Sequence, residues 1–261
     1  MLYAVCPPKP AVHAFQTSGL HYNFVFRLSG MANIIKRTLG GLLEQLFSQS
    51  QVIAKRLWPN SSMYELDISL PAVSMEKWNT VKRLKCQVGL LEYRDYTPAL
   101  WNIDQQTCTL FIEAGHQGIG SKWISALSVG DKILLGEAHA AHLPVNPGPV
   151  LGLGDGTAIG HFLALKQLTN RTDFPLEVGI FINDDQQAPM EFINNHPEFT
   201  FIAKNEKSAF PALKHGSDTQ DLKKFASVYI AGNNTMVREL RATLKNQLGP
   251  GVKIYGHGFW S

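Results

Sequence analysis

Four consecutive residues, Arg94-Asp95-Tyr96-Thr97, combine a cation, an aromatic ring and a hydroxyl in an order suited to holding a flat, charged ligand. On an extended chain, side chains two apart share a face. Arg94 and Tyr96 then point the same way, the guanidinium toward a pyrophosphate through charge-assisted hydrogen bonds and the phenol toward a planar ring system. Thr97 offers its backbone and hydroxyl to the polar edge of that ring. The same residues would also make an ordinary exposed strand end, so the reading depends on what stands near them.

Gly118-Ile119-Gly120-Ser121-Lys122-Trp123 follows the next strand-like run and opens a helix. Glycines let the backbone approach an anion, and free amides at a helix amino terminus point toward it. A hairpin connection with an ordinary Ser cap would have a similar composition. Together with Arg94, however, the segment makes a second anchor for one diphosphate.

The second half of the chain offers two further glycine turns. Val150 to Gly160 reads as an apolar strand that turns through Gly154-Asp155-Gly156-Thr157 into a helix. Its Gly-x-Gly-x-x-x-Gly spacing differs from the dinucleotide-binding Gly-x-Gly-x-x-Gly, and a close strand-to-helix packing turn would also produce it. Val228 to Met236 is again a strand that ends at Gly232-Asn233 before a helix. In parallel sheets ligands bind at the carboxyl ends of strands, so both turns face one crevice. The chain closes on Gly256-His257-Gly258-Phe259-Trp260-Ser261, an aromatic pair that serves either as a core anchor or as a wall against a ligand ring.

Other chemistry is poorly supported. His139 and His142 stand three apart with no Cys or carboxylate at a complementary spacing, so no metal site is assigned. No Ser-His-Asp set or carboxylate pair stands out either, and hydrolysis is not expected.

These residues need elements to position them. Asn33 to Gln49 carries Ile34, Ile35, Leu39, Leu42, Leu43, Leu46 and Phe47 at helical spacing. Strand-like runs follow at Gln51–Leu57, Met63–Leu70, Leu84–Leu91, Tyr96–Asn102, Thr107–Ala114 and Lys132–Gly136, with a short helix at Ser121–Leu127. Six short strands with few helices suggest a barrel. After the connector Pro144–Pro149 the texture changes to strands at Val150–Leu153, Leu176–Ile182, Phe199–Ala203, Ser227–Ala231 and Val252–Tyr255, with helices at Thr157–Leu168 and Thr235–Gln247. That alternation implies a parallel sheet with covering helices. The expected division is 1–50 for an amino-terminal extension and amphipathic helix, 51–147 for the barrel and 148–261 for the α/β domain. Residues 1–30, rich in Pro at the start, are read as an extension outside the fold.

The 261 residues are enough for two domains, and 44% hydrophobic with 17% charged residues is a globular balance. The net charge of +3 is spread without a basic aromatic stripe, which argues against nucleic acid as a partner. Three cysteines with no Cys-x-x-Cys pair indicate neither a disulfide framework nor a zinc ribbon and fit a cytoplasmic protein. No apolar run is long enough to span a membrane.

The order of these signals over residues 51–261 resembles the siderophore-interacting proteins among the ferredoxin-reductase-like flavoenzymes. The resemblance implies an antiparallel Greek-key FAD-binding β-barrel followed by a parallel-sheet α/β nicotinamide-nucleotide domain. It places FAD on Arg94, Tyr96 and Thr97, with Gly118, Gly120, Ser121 and Trp123 at the diphosphate. Gly154, Asp155, Gly156 and Thr157, with Gly232, Asn233 and Met236, become nicotinamide-side elements, and Phe259 and Trp260 an aromatic wall near the flavin. The family's acid after Ala-Gly is Asn233 here, and its His before the glycine-rich turn is Ala114. The implied activity is an FAD-dependent NAD(P)H oxidoreductase that reduces ferric siderophores to release iron, with no catalytic side chain assigned.

Alternatives remain open. They are a flavin reductase, a ferredoxin-type electron-transfer reductase without an iron role, and a non-catalytic nucleotide-binding module. Asp184-Asp185 disfavours the 2′-phosphate of NADPH, whereas Lys204 and Lys207 favour it. Lys122, Lys204 and Arg241 are the basic candidates for an anionic ferric chelate.

Overall fold

A computed structural model describes residues 47–141, 143, 147–169, 173–183, 185–204, 221–248 and 251–260. The leader 1–30, residues 33–46 of the helix expected over Asn33 to Gln49, His142, Asp184 and Lys207 lie outside the described residues. Those described belong to one compact unit, Glu44–Ser261.

The first half alternates buried and open positions along its strands, as a half-buried sheet requires. Along β2 (Met63–Ser69) and β3 (Val81–Gly89), Leu66, Ile68, Leu84 and Cys86 are buried while Asp67, Lys85 and Gln87 between or beside them are not. With β1 (Ser48–Leu57), β4 (Glu92–Tyr96), β5 (Pro98–Asn102), β6 (Thr107–Glu113) and β7 (Lys132–Ala141), they form a seven-stranded sheet ordered β4-β3-β7-β1-β2-β6-β5. Every pairing in it is antiparallel. The outermost strands, β4 and β5, are joined by Thr97 alone. One residue cannot bridge a flat sheet of this width, so the sheet must curl until its edges meet at Thr97. Helix α1 (Ile119–Ala126) plugs the curled sheet by burying Ile124 completely, with Ile119 and Trp123 packed beside it.

The second half has apolar strands without alternation, as expected where both faces are covered. All six residues of β8 (Val150–Asp155) are buried. The parallel sheet runs β10-β9-β8-β11-β12, with β9 Leu176–Asn183, β10 Phe199–Lys204, β11 Ser227–Asn233 and β12 Lys253–Trp260. Its order reverses beside β8, which places a crevice at the carboxyl ends of β8 and β11. Helix α2 (Ile159–Leu168) is buried from Ile159 through Leu165. A helix apolar all round belongs in an interior. Its Gln167 exchanges two hydrogen bonds with the Trp101 backbone, at 2.8 and 3.2 Å, so α2 joins the two sheets. Among the described residues, two more α-helices, α3 (Met190–Asn195) and α4 (Asn234–Gln247), belong to this half. No helix among the described residues is long and apolar enough to cross a membrane.

Several sequence boundaries move. Ser48 and Gln49, expected to end a helix, lie in β1, where Ser50 donates its hydroxyl to the Ser69 carbonyl and pairing with β7 takes over. The run Tyr96–Asn102 is two strands broken at Thr97, and Leu84–Leu91 ends at Gly89 because Leu90-Leu91 form the hairpin turn, with Leu91 at φ 60°. Helix α1 starts at Ile119 instead of Ser121. Helix α3 carries no clear sequence signal, since its six residues are too few for a helical period. Strand β12 continues through the glycines expected to end it.

Candidate functional site

Two clefts open where the halves meet. The larger, about 700 Å³, runs along β4, Thr97, the start of α1 and the end of β12. Arg94, Tyr96, Thr97, Gly118, Gly120, Ser121, Thr157, Phe259 and Trp260 line it, so segments separated by more than a hundred residues converge on one space.

Strand pairing explains the first of these. Arg94 stands opposite Cys86, and Tyr96 opposite Leu84, so both side chains are on the face of β4 shared with buried positions of β3. The Arg94 guanidinium donates to the Tyr93 carbonyl at 2.7 Å, and no carboxylate among the described residues pairs with it. Tyr96 stacks on Trp123, with ring centroids 5.8 Å apart and planes within 12°. Trp123 therefore lies outside the cleft and braces the phenol from behind. Burial pushes the Tyr96 phenol well above its ordinary value, despite the opposing effect of Arg94, so it stays protonated and able to donate.

Helix α1 begins without a side-chain cap, because Gly118 holds the N-cap position. The amides of its first turn are thus left for another acceptor. By contrast, Asn233 caps α4 by accepting from the amides of Thr235 and Met236 at 2.9 and 3.1 Å. A β-carbon at Gly118 would meet nothing within 4 Å, which leaves that approach open.

Sequence reasoning missed several wall residues. Arg83 lies over the Phe259 ring at 4.7 Å, and burial lowers its pKa while Asp95 opposes that shift. Lys85 pairs with Asp95 at 2.8 Å. Glu113 and His116 also face the cleft. The alternation along β3, which sets Arg83 and Lys85 apart from buried Leu84 and Cys86, is the signal that could have found the first two.

The smaller cleft, about 530 Å³, lies over the carboxyl ends of β8 and β9 and includes Asp155, Gly156, Asp185 and Gln186. Asp155 is nearly buried and acts largely as a staple. It accepts from the Thr157 amide at 3.0 Å, from the Thr157 hydroxyl and from the Asn233 amide at 2.8 Å, tying the end of β8 to that of β11. Gly232, at φ +124°, lets β11 turn over this carboxylate. Gly154 serves packing, since a β-carbon there would lie 2.5 Å from the Ala158 side chain and 2.6 Å from the Ala231 carbonyl. Met236 packs against the core beneath α4. Gly154, Gly232, Asn233, Met236 and Trp123 thus lie outside both clefts. Of the basic candidates, Lys122 is exposed on α1, and Arg241 lies on α4 beside Gly256.

No family model matches the sequence, and no curated protein does. The fold is more informative. A siderophore-interacting protein from Acinetobacter baumannii superposes with a TM-score of 0.64 at 16% identity, covering 81% of this chain and 89% of that one. A ferredoxin NADP+ reductase from Neisseria gonorrhoeae, solved with bound FAD and NADP, gives 0.61 at 20% identity over 82% and 99%. This is the ferredoxin-reductase-like fold. Phthalate dioxygenase reductase, described as modular for electron transfer from pyridine nucleotides to [2Fe-2S], shares it at a TM-score of 0.62 and 12% identity, covering 81% of this chain and 68% of that one. A curled antiparallel sheet followed by a parallel one is the arrangement of barrel and α/β domain that the motifs implied.

Proposed function

We propose that the chain binds FAD in the larger cleft and a reduced nicotinamide dinucleotide, NADPH or NADH, at the smaller one, and acts as an NAD(P)H-dependent flavoprotein oxidoreductase. One observation carries the reading: the uncapped start of α1 and the Arg94 guanidinium open onto the same ring-lined cleft. An uncapped helix start beside a cation is a site for a diphosphate. A volume of about 700 Å³ falls in the range of small-molecule and cofactor sites.

The residues divide the work by position. Arg94, Gly118, Gly120 and Ser121 hold the diphosphate. Tyr96, fixed by Trp123, and Thr97 orient the ring system, while Phe259 and Trp260 exclude water from the opposite side. Asp155, Gly156 and Thr157 shape the turn over which the nicotinamide nucleotide lies, with Gly232 and Asn233 holding that turn from outside the cleft. When bound there, FAD would supply the redox chemistry between the nicotinamide and an acceptor. None of these roles needs a side-chain acid or base.

The acceptor we favour is a ferric siderophore, supported by the likeness to the Acinetobacter siderophore-interacting protein. A ferredoxin is the second reading, favoured by the likeness to ferredoxin NADP+ reductase. Initial rates of NADH and NADPH oxidation with a ferric chelate, a ferredoxin and free flavin as acceptors separate the readings. Siderophore reduction requires the ferric chelate to be the fastest acceptor, and faster turnover of ferredoxin overturns it in favour of the second.

A further inference from the structure

Three residues, Glu113, His116 and Trp260, line both clefts, and among the described residues they alone are shared by the two linings. They also touch. His116 Nε2 lies 3.6 Å from a Glu113 carboxylate oxygen. The His116 and Trp260 rings meet with centroids 4.6 Å apart, inclined at 36°. Side chains, then, form the partition between the clefts.

The two rings are open to solvent, His116 at 40% and Trp260 at 38%, so burial does not hold them. Their neighbour Phe259 differs, being packed against the main core and covered by Arg83. The Trp260 backbone is anchored opposite Asn233, just past a register shift in the ladder. Motion at this point therefore falls to the indole. Glu113 is tied from behind: Ser62 Oγ lies 3.4 Å from its carboxylate and accepts from Gln186 Nε2 at 3.1 Å. The His116 side of the partition is thus braced from both halves of the fold.

We propose that His116 is the positioning residue for Trp260. Tilted against the imidazole, the indole closes the wall between the clefts, and a nicotinamide ring reaches the flavin side by parting the pair. The inference rests on the flavin reading above. An aromatic pair of this kind favours the closed arrangement by only about 2- to 10-fold, so an incoming ligand can part it. Without the imidazole the indole is freer, and ligand binding no longer works against the ring contact.

The test uses the full chain as purified, with acrylamide quenching of tryptophan emission in wild type, His116→Ala and His116→Phe, each also carrying Trp260→Phe. His116→Ala should raise quenching, His116→Phe should restore it, and both effects should vanish with Trp260→Phe, as a double-mutant cycle requires. Unchanged quenching in His116→Ala, an effect that persists in Trp260→Phe, or His116→Phe behaving like His116→Ala overturns the proposal. In FAD-loaded protein, KM for the reduced nicotinamide should fall about 2- to 10-fold in His116→Ala, more than kcat moves. Failure to retain FAD would sink the flavin reading while the quenching result still decides whether His116 holds Trp260.

Discussion

Gly120 stands so close to Tyr96 that a β-carbon built on it would lie 2.6 Å from the phenol oxygen. The phenol cannot simply swing away, because Trp123 stacks on its ring. A single missing methyl group therefore sets where the cleft's aromatic wall stands. Gly120→Ala should displace Tyr96 and weaken FAD binding at least tenfold, with circular dichroism unchanged. Titration of FAD against protein fluorescence measures this, and wild-type affinity in the variant would show that the Tyr96 position is immaterial.

Arg94 contributes a cation with no carboxylate partner among the described residues. A hydrogen bond to a charged group is worth about 1.5–3 kcal/mol, so Arg94→Ala should lower FAD affinity by roughly 10- to 100-fold. Arg94→Lys should recover part of the loss, since it restores the charge without the planar fork. Calorimetric titration of both variants checks the order.

The Greek-key half was legible in the sequence because its strands alternate, and the parallel half because its strands are continuously apolar between glycine turns. What escaped had no chemical marker. Leu90-Leu91 turns a hairpin with two leucines, Leu91 at φ 60° and Leu90 half exposed, where Gly or Asn would be expected. Gly256 and Gly258 read as chain breakers, yet they are where α4 lies closest to β12. A β-carbon at Gly258 would overlap the Asn234 side chain, and one at Gly256 would lie 3.2 Å from Val237. Those glycines let β12 pass close beneath α4 on its way to the cleft that Phe259 and Trp260 line. The candidate site was legible wherever one segment held the whole motif, as at Arg94 to Thr97. Glu113 and His116 acquire meaning only when the segment that follows β6 meets the end of β12, a juxtaposition that local spacing does not encode.

Gly232 should be intolerant of substitution for two reasons. Its φ of +124° is costly for any other residue, and a β-carbon would lie 2.6 Å from the Asp155 carboxylate. Gly232→Ala should destabilise the fold by about 2 kcal/mol or more, seen as a lower denaturation midpoint in urea with an unchanged slope.

Glu198 links β10's amino-terminal end to α2 through Lys166, with His196 Nδ1 3.6 Å from the same oxygen. Burial alone would raise its pKa, but the Lys166 ammonium hydrogen-bonded to it and the His196 imidazole beside it outweigh burial and bring the carboxyl down from 4.5 to about 2. A carboxylate whose pKa is depressed by folding stabilises the native state fully above its ordinary value and loses that contribution as pH falls toward the folded value. Stability on the order of 2–3 kcal/mol should therefore disappear between about pH 4.5 and 2 in wild type. Glu198→Gln should flatten the dependence of Tm on pH in that window, and parallel curves for the two proteins would refute the linkage.

The central claim is that one cleft holds FAD and its neighbour the reductant. The most direct measurement is the visible absorbance of the purified chain after incubation with FAD and removal of the excess, recorded anaerobically before and after NADH or NADPH. The account predicts a retained flavin spectrum that bleaches rapidly with at least one of the two nicotinamides. A chain that retains no FAD, or whose bound FAD stays oxidised with both, would contradict it.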